Sequence, residues 1–434
     1  MFTTTTDFVV DDDLESRTYA KVAWRIVPLL FLSYIVAYLD RVNVGFAKLQ
    51  MLNDLKFSET VYGLGAGIFF LGYFLFEVPS NLILHKVGAR RWIARIMITW
   101  GIVSSLMMFV TTPTMFYVMR FLLGIAEAGF FPGVILYLTY WFPSHRRGRM
   151  TALFMTAIPV AGVIGSPLSG WILQSLNGVN GWAGWQWLFL VEGIPSVLVG
   201  LLVFAYMDDG ISSAKWLNES EKRLLSRNID SENAGKQDHS FKATVGNPKV
   251  WLLSLVYFCV VMGLYGVGFW LPSLIKATGV KNALDVGLLT AIPYAAAAIS
   301  MVLFSRSADK KRERRWHLAI PCVLGAIGLV FSAVFGDNTL VAMGFLTLAT
   351  AGIITAFPLF WSFPTAFLSG AAAAGGIALI NSVGNLAGFV SPYMIGLIKD
   401  WTQSTNAGMY VLAGCMFVAG LLAVSAVPAK LVNR

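Results

Sequence analysis

Twelve apolar stretches recur along this chain, each about 20 residues long and closed by a polar break, which is the length a helix needs to cross bilayer hydrocarbon. They fall at 26–47, 61–84, 90–110, 114–141, 149–173 and 186–207, then at 250–272, 285–305, 317–336, 339–363, 374–398 and 408–428. Between the sixth and seventh lies Met207–Lys249, with Lys215, Glu219, Glu221, Lys222, Arg223, Arg227 and Asp230, too charged to enter a membrane. The pattern predicts an all-α membrane protein of twelve transmembrane helices in two six-helix halves. Its sections are an N-terminal tail at 1–25, a bundle at 26–207, a linker at 208–249, a second bundle at 250–428 and a tail at 429–434.

Composition agrees with that pattern: 57% of residues are hydrophobic and 13% charged, against about 25% charged in soluble domains. The opening Met1–Asp13 is polar and acidic, without the basic start and small-residue cleavage site of a signal peptide, so no cleavage is expected. Cys259, Cys322 and Cys415 lie in apolar stretches and imply no disulfide framework. His85, His145, His239 and His317 are scattered over loops and segment ends, so neither a metal site nor another cofactor is expected.

A net charge of +9 would suit a nucleic-acid partner. Its distribution argues otherwise, because most of the 32 Lys and Arg fall in alternate loops. Only Lys48, Lys56, Lys276, Lys281 and Lys399 fall on the opposite side, and Arg41 and Arg120 lie within spans. The positive-inside rule then places both termini in the cytoplasm and makes the lipid bilayer the partner, with no nucleic acid. Basic loops recur after the second span, Leu84–Arg91, and after the eighth, Ser307–Arg315, as in transporters built from repeated halves with a midplane site. In the linker, Asn218 followed by Glu221 and Leu224–Leu225 reads as the capped start of an amphipathic surface helix.

Charge inside the spans carries the candidate chemistry. Asp40 and Arg41 sit in the first span, and Arg120 and Glu127 in the fourth. Such groups at membrane depth cost at least about 2.5 to 3.5 kcal/mol and face a bundle interior or a wet cavity. Asp40 and Arg41 point about 100° apart on a helix, so each needs its own partner. Arg120 and Glu127 are two turns apart and share a face with Gly124 between them. A purely structural ion network locking these two spans is one reading. The functional reading gives Arg41 and Arg120 an organic anion and gives Asp40 and Glu127 protons, coupled because an anion engaging arginine favours protonation nearby. Glu77 and Glu192 are left to structural pairing.

The second half offers Tyr257, Tyr265, Trp270, Trp361, Ser362, Thr365, Asn381 and Asn385 for the neutral body of a substrate. Asn381 and Asn385 share a face in a stretch of small residues and suit either substrate contact or interhelical hydrogen bonding. Gly63, Gly65 and Gly67 have the wrong spacing for a dinucleotide fingerprint and read as packing positions.

At Tyr38-x-Asp40-Arg41-x-Asn43, Arg120 with Gly124 and Glu127 through Trp141-Phe142-Pro143, Trp187-x-Phe189-x-x-Glu192-Gly193, Phe360-Trp361-x-x-Pro364-Thr365 and Asn381–Gly388, the chain resembles the major facilitator superfamily. Within it, the resemblance is to the anion:cation symporters of sugar acids, tartrate, phthalate and aromatic acids. The resemblance spans nearly the whole chain. It implies the major facilitator fold and proton-driven uptake of a small organic anion by alternating access, by a monomer in a bacterial inner membrane. Family proton sites match Asp40 and Glu127, the substrate arginine matches Arg41, and Tyr73 matches a substrate-facing tyrosine. His85 stands where many members carry aspartate, and Ile158-Pro159 where sugar-acid members present an amide. With Phe69, Phe70 and Phe154 nearby in sequence, that loss of an amide leans the expectation toward an aromatic or less hydroxylated carboxylate.

An efflux antiporter is the alternative, since Gly162-x-x-Gly165-Ser166-Pro167-x-x-Gly170 partly matches the antiporter motif, with Ser166 inserted. An enzyme is not expected: the sequence has no phosphate-binding loop, metal cluster or nucleophile elbow.

Overall fold

The computed structural model describes residues 12–233, 246–367 and 371–432. The start of the acidic opening stretch, His239 with the end of the linker, and the Thr365 side chain lie outside the described residues.

The first half comprises α1 (Asp12–Leu55), α2 (Glu59–Val87), α3 (Ala89–Leu106), α4 (Pro113–Glu127), α5 (Phe130–Thr139), α6 (Ser144–Met155), α7 (Ala157–Ser175) and α8 (Gly184–Tyr206). The linker holds α9 (Glu219–Asn233). The second half comprises α10 (Pro248–Ala277), α11 (Ala283–Lys311), α12 (Arg315–Val334), α13 (Thr339–Phe360), α14 (Ser362–Phe367), α15 (Ala371–Thr402), α16 (Asn406–Ser425) and α17 (Ala429–Val432). Among the described residues, 11 helices are long and apolar enough to cross a membrane. The predicted eleventh span falls on α15, which packs against α2 and α10.

Several elements depart from the expected pattern: the fifth span breaks between α6 and α7, and the tenth between α13 and α14. The tail expected at 1–25 is helical from Asp12, because Arg17 pairs with Asp13 at 2.6 Å and the Thr18 hydroxyl donates to the Leu14 carbonyl, so α1 extends beyond its apolar stretch. The fourth span breaks into α4 and α5 at Gly129, whose φ of 86° suits a residue without Cβ. Residues 429–432, expected as part of a tail, also form a short helix, α17.

The expected linker helix is present with its cap: the Asn218 side chain accepts from the Glu221 N–H at 2.8 Å, and Glu221 accepts from the Asn218 N–H at 2.8 Å. Lys21 donates to Glu221 at 2.9 Å and Asn228 to the Tyr19 hydroxyl at 3.2 Å, so α9 is fastened to the projecting start of α1.

Large apolar side chains cover the outside, with Leu340 83% and Trp401 79% exposed, whereas Asp40, Arg41, Arg120 and Glu127 are buried. Apolar surface outside and charge inside is the arrangement lipid demands. In lipid the helices are held by close packing of small residues. The halves meet along two such seams. On α2 and α15, a Cβ at Gly63 would lie 2.4 Å from the Pro392 carbonyl oxygen, and one at Gly396 2.4 Å from that of Glu59. On α7 and α11, a Cβ at Gly170 would lie 2.5 Å from the Ala283 carbonyl oxygen, and one at Gly287 2.4 Å from that of Ser166. The antiporter-like glycines therefore have packing roles: Gly162 meets the Tyr294 ring, Gly165 meets Leu39 and Gly170 meets α11.

Candidate functional site

Arg41 lies where α1, α4 and α10 approach. Its Nη2 is paired with the Glu127 carboxylate, and its Nη1 donates to the Tyr265 hydroxyl at 3.0 Å. The guanidinium also lies 5.6 Å from the Phe69 ring centre and 5.7 Å from that of Tyr73. Both charges are buried, so their mutual neutralisation is what permits them there. Since Tyr265 belongs to the second half, this cluster joins the halves.

Arg41 opens onto a cavity lined from the first half by Tyr34, Phe70, Tyr73 and Phe131 and from the second by Tyr257, Val261, Tyr265, Phe357, Asn381 and Asn385. Away from Arg41, the Asn381 amide donates to Glu77 Oε1 at 2.9 Å and the Asn385 amide to Oε2 at 3.2 Å. A second tie between halves is thus made across α2 and α15. The wall combines aromatic faces, one guanidinium and two amides, suited to a compact organic anion.

The opposite end is shut. Lys48 contacts Glu59 at 2.6 Å and sits 3.4 Å above the Trp270 ring, Lys399 also pairs with Glu59, and Asp400 accepts from the Thr60 N–H at 2.8 Å. Lys276 of α10 adds a bond to α1 by donating to the Leu49 carbonyl at 3.1 Å.

Asp40 faces away from this cavity. One oxygen accepts from Ser104 at 2.7 Å, the other from Trp100 Nε1 at 2.9 Å and from Ser196. These donors come from α3 and α8, which places Asp40 inside the first half.

The sequence model of the Major Facilitator Superfamily matches residues 30–392. The chain belongs to that superfamily. This facilitator is 50% identical over 430 residues to a Pseudomonas putida protein named as the metabolite transport protein NicT, covering 98% of each chain. It is 53% identical over 427 residues to an Agrobacterium vitis protein named as a tartrate transporter, covering 98% of this chain and 96% of the other. A quinolone resistance transporter of Acinetobacter baumannii is 41% identical over 423 residues, with 96% of each chain covered. The facilitator is accordingly a multi-pass inner-membrane transporter and not an enzyme.

The facilitator's structure brings together some of the expected site residues and separates others. Arg41, Tyr73, Asn381 and Asn385 line the cavity, and Glu127 stands behind Arg41. Trp361 packs edge-on against Tyr257, 4.9 Å between ring centres, and supports the wall. Arg120, expected to bind substrate, is not in the wall: it donates to the Gly65 and Ala66 carbonyls at 3.2 and 3.4 Å and lies 5.1 Å from the Phe69 ring. The helix face it shares with Gly124 and Glu127 is pressed onto α2, where a Cβ at Gly124 would lie 2.0 Å from the Phe69 carbonyl oxygen. Of the expected aromatics, Phe70 lines the cavity, Phe69 lies between the two arginines, and Phe154 stacks on Tyr34 at 4.4 Å. Ile158 is buried and is not among the cavity-lining residues. Glu77, left by the sequence to structural pairing, pairs with both cavity asparagines and braces them. Its signal was its place four residues beyond Tyr73, on the same helix face. Among the described residues there is no group of three or more His, Cys, Asp or Glu that could hold a metal.

Proposed function

We propose that this facilitator takes up a small organic carboxylate together with protons, by alternating access. Its working form has twelve spans with both termini cytoplasmic, the two bundles at 26–207 and 250–428 acting as the rocking halves and 208–249 as their tether. One chain holds the whole pathway, so the unit is a monomer. The observation that carries the reading is Arg41 in the cavity wall, bonded to Glu127 in its own half and to Tyr265 in the other.

A carboxylate entering the cavity competes with Glu127 for the guanidinium, which favours paired hydrogen bonds to planar anions. Glu127, buried and deprived of its cation, is then far cheaper to hold as the neutral acid, so it takes a proton. Reciprocity makes protonated Glu127 favour anion binding. Asp40, on the far side of α1, holds a second proton and acts on Arg41 through the helix they share. Two protons with one monovalent anion carry one positive charge inward, driven by about 2.3 kcal/mol per 100 mV.

Tyr73, Asn381 and Asn385 contact the body of the substrate, with Trp361 and Arg120 supporting them from behind. The aromatic wall favours a flat ring, while the relative named as a tartrate transporter supports a hydroxy acid. The relative named for quinolone resistance supports a second reading, efflux in exchange for protons.

The deciding experiment is uptake into proteoliposomes of radiolabelled benzoate, a pyridine carboxylate, tartrate and gluconate under an inward proton gradient. Accumulation of an aromatic or hydroxy acid, abolished by Arg41→Ala, is expected. Proton-driven extrusion of a quinolone with no acid accumulated would replace uptake by efflux.

A further inference from the structure

One buried acid has no part in the scheme above. Glu192 of α8 is 2% exposed; its Oε1 accepts from Ser169 of α7 at 2.5 Å, and its Oε2 makes no well-formed hydrogen bond. Asn43 of α1, 1% exposed, lies against it, and neither of its amide atoms has a well-formed hydrogen bond. No cation compensates this acid among the described residues. The groups acting on it are Ser169 from α7 and Asp40 and Asn43 from α1, while α3 presents Gly101 and Ser105 beside the neighbouring Gly193. A carboxylate so placed is not tolerable as a bare ion.

Two further observations give this acid a route and a destination. Asn43 and Ser169 are both walls of a second, smaller cavity between the halves, which is also lined by Ser166, Thr290 and Tyr294. That cavity has space for about one water among polar groups. The acid also stands in register with Asp40. Asn43 follows Asp40 by three residues on α1, Ser196 follows Glu192 by four on α8, and Asp40 already accepts from Ser196. Two acid rungs thus cross the α1–α8 interface, the Glu192 rung nearer the shut end.

We propose that Glu192 is a third proton-binding site, loaded from water in the small cavity past Asn43 and Ser169 and coupled to Asp40 along the α1–α8 interface. A hydronium gives its proton to the Glu192 carboxylate and leaves as water, so the acid becomes neutral. The reverse transfer returns the proton to water or to Asp40. This rests on the proton-coupled reading of the carrier.

The test uses full-length protein in proteoliposomes, with Glu192→Gln as the isosteric variant and Ser169→Ala as a milder one. The labelled acids are tartrate and benzoate, followed as gradient-driven accumulation and as counterflow exchange. Glu192→Gln is expected to cut accumulation at least about fivefold while exchange stays near wild type. Ser169→Ala should shift the outside pH at which uptake is half-maximal. Unchanged accumulation in Glu192→Gln, equal loss of accumulation and exchange, or accumulation driven by sodium would overturn the proposal. An infrared titration of the purified protein needs no substrate: a protonated-carboxyl band removed by Glu192→Gln supports the site, and an unaltered band refutes it. If the wild type accumulates neither acid, the coupled-uptake reading fails while the infrared band still decides Glu192.

Discussion

Asp40 and Arg41 are consecutive residues that serve different compartments. Arg41 reaches Glu127 and Tyr265 at the cavity between the halves, while Asp40 is held by Trp100, Ser104 and Ser196 inside the first half. A substrate that binds Arg41 therefore meets Asp40 only through the backbone of α1.

It follows that Asp40→Asn should leave substrate affinity almost untouched while abolishing proton-driven accumulation. The amide can donate to the Ser104 hydroxyl and accept from Trp100 and Ser196, so stability should change by no more than about 1 kcal/mol. Counterflow exchange and thermal unfolding of the detergent-solubilised variant read these separately. Loss of exchange equal to the loss of accumulation would return Asp40 to a structural role.

Arg41→Ala should abolish binding and also destabilise the fold by about 3 to 5 kcal/mol, because Glu127 is left buried without its cation. Adding Glu127→Gln to that variant should recover most of the stability and none of the binding. Melting temperature and equilibrium binding of a labelled acid give the two answers.

At the shut end, Glu59 holds both Lys48 and Lys399. Glu59→Gln should weaken this latch by one to two kcal/mol, opening that end about 5- to 30-fold more often. A cysteine introduced as Phe46→Cys, in protein whose three native cysteines are replaced, should then react faster with a membrane-impermeant thiol reagent. An unaltered labelling rate would mean that the seams, not the ion pairs, keep this end shut.

The linker offers a pH test outside the membrane. Partial burial pushes the Glu221 carboxyl up, but the hydrogen-bonded Lys21 ammonium and the Asn218 N–H outweigh it and hold the group below its ordinary value. A depressed acid contributes stability that is present above its unfolded value, about 4.3, and is lost as pH falls through the folded value. Docking of α9 on α1 should loosen only at acid pH, seen as faster proteolysis of the linker. Glu221→Gln should remove that acid dependence.

Much of this arrangement was legible in the residues themselves. The apolar stretches placed the membrane helices because lipid accepts little else, and Asn218 with Glu221 announced a helix start because a reciprocal cap is a local pattern. The divergence of Asp40 from Arg41 followed from helical geometry alone. Partners distant in sequence were not legible. Glu77 meets Asn381 and Asn385 some 304 and 308 positions away, and nothing local marks that meeting. Arg120 looked like a ligand for an anion because charge in lipid demands a partner, and two backbone carbonyls satisfied much of that demand instead. Trp100, Ser104 and Ser196 were ordinary residues of apolar helices until the fold turned them toward one carboxylate.

Under the proposed alternating access, the glycine seams would carry the movement and the cavity wall the choice of cargo. Where α2 meets α15 and α7 meets α11, glycines bring backbone onto backbone, and Glu77 with its two asparagines and Tyr294 against Gly162 add side-chain contacts beside them. Wall positions off these helices, such as Tyr34, Tyr257 and Val261, can therefore change while the backbone contacts between the halves stay intact. Relatives named as a tartrate transporter and as a quinolone resistance transporter are in keeping with such a division of labour.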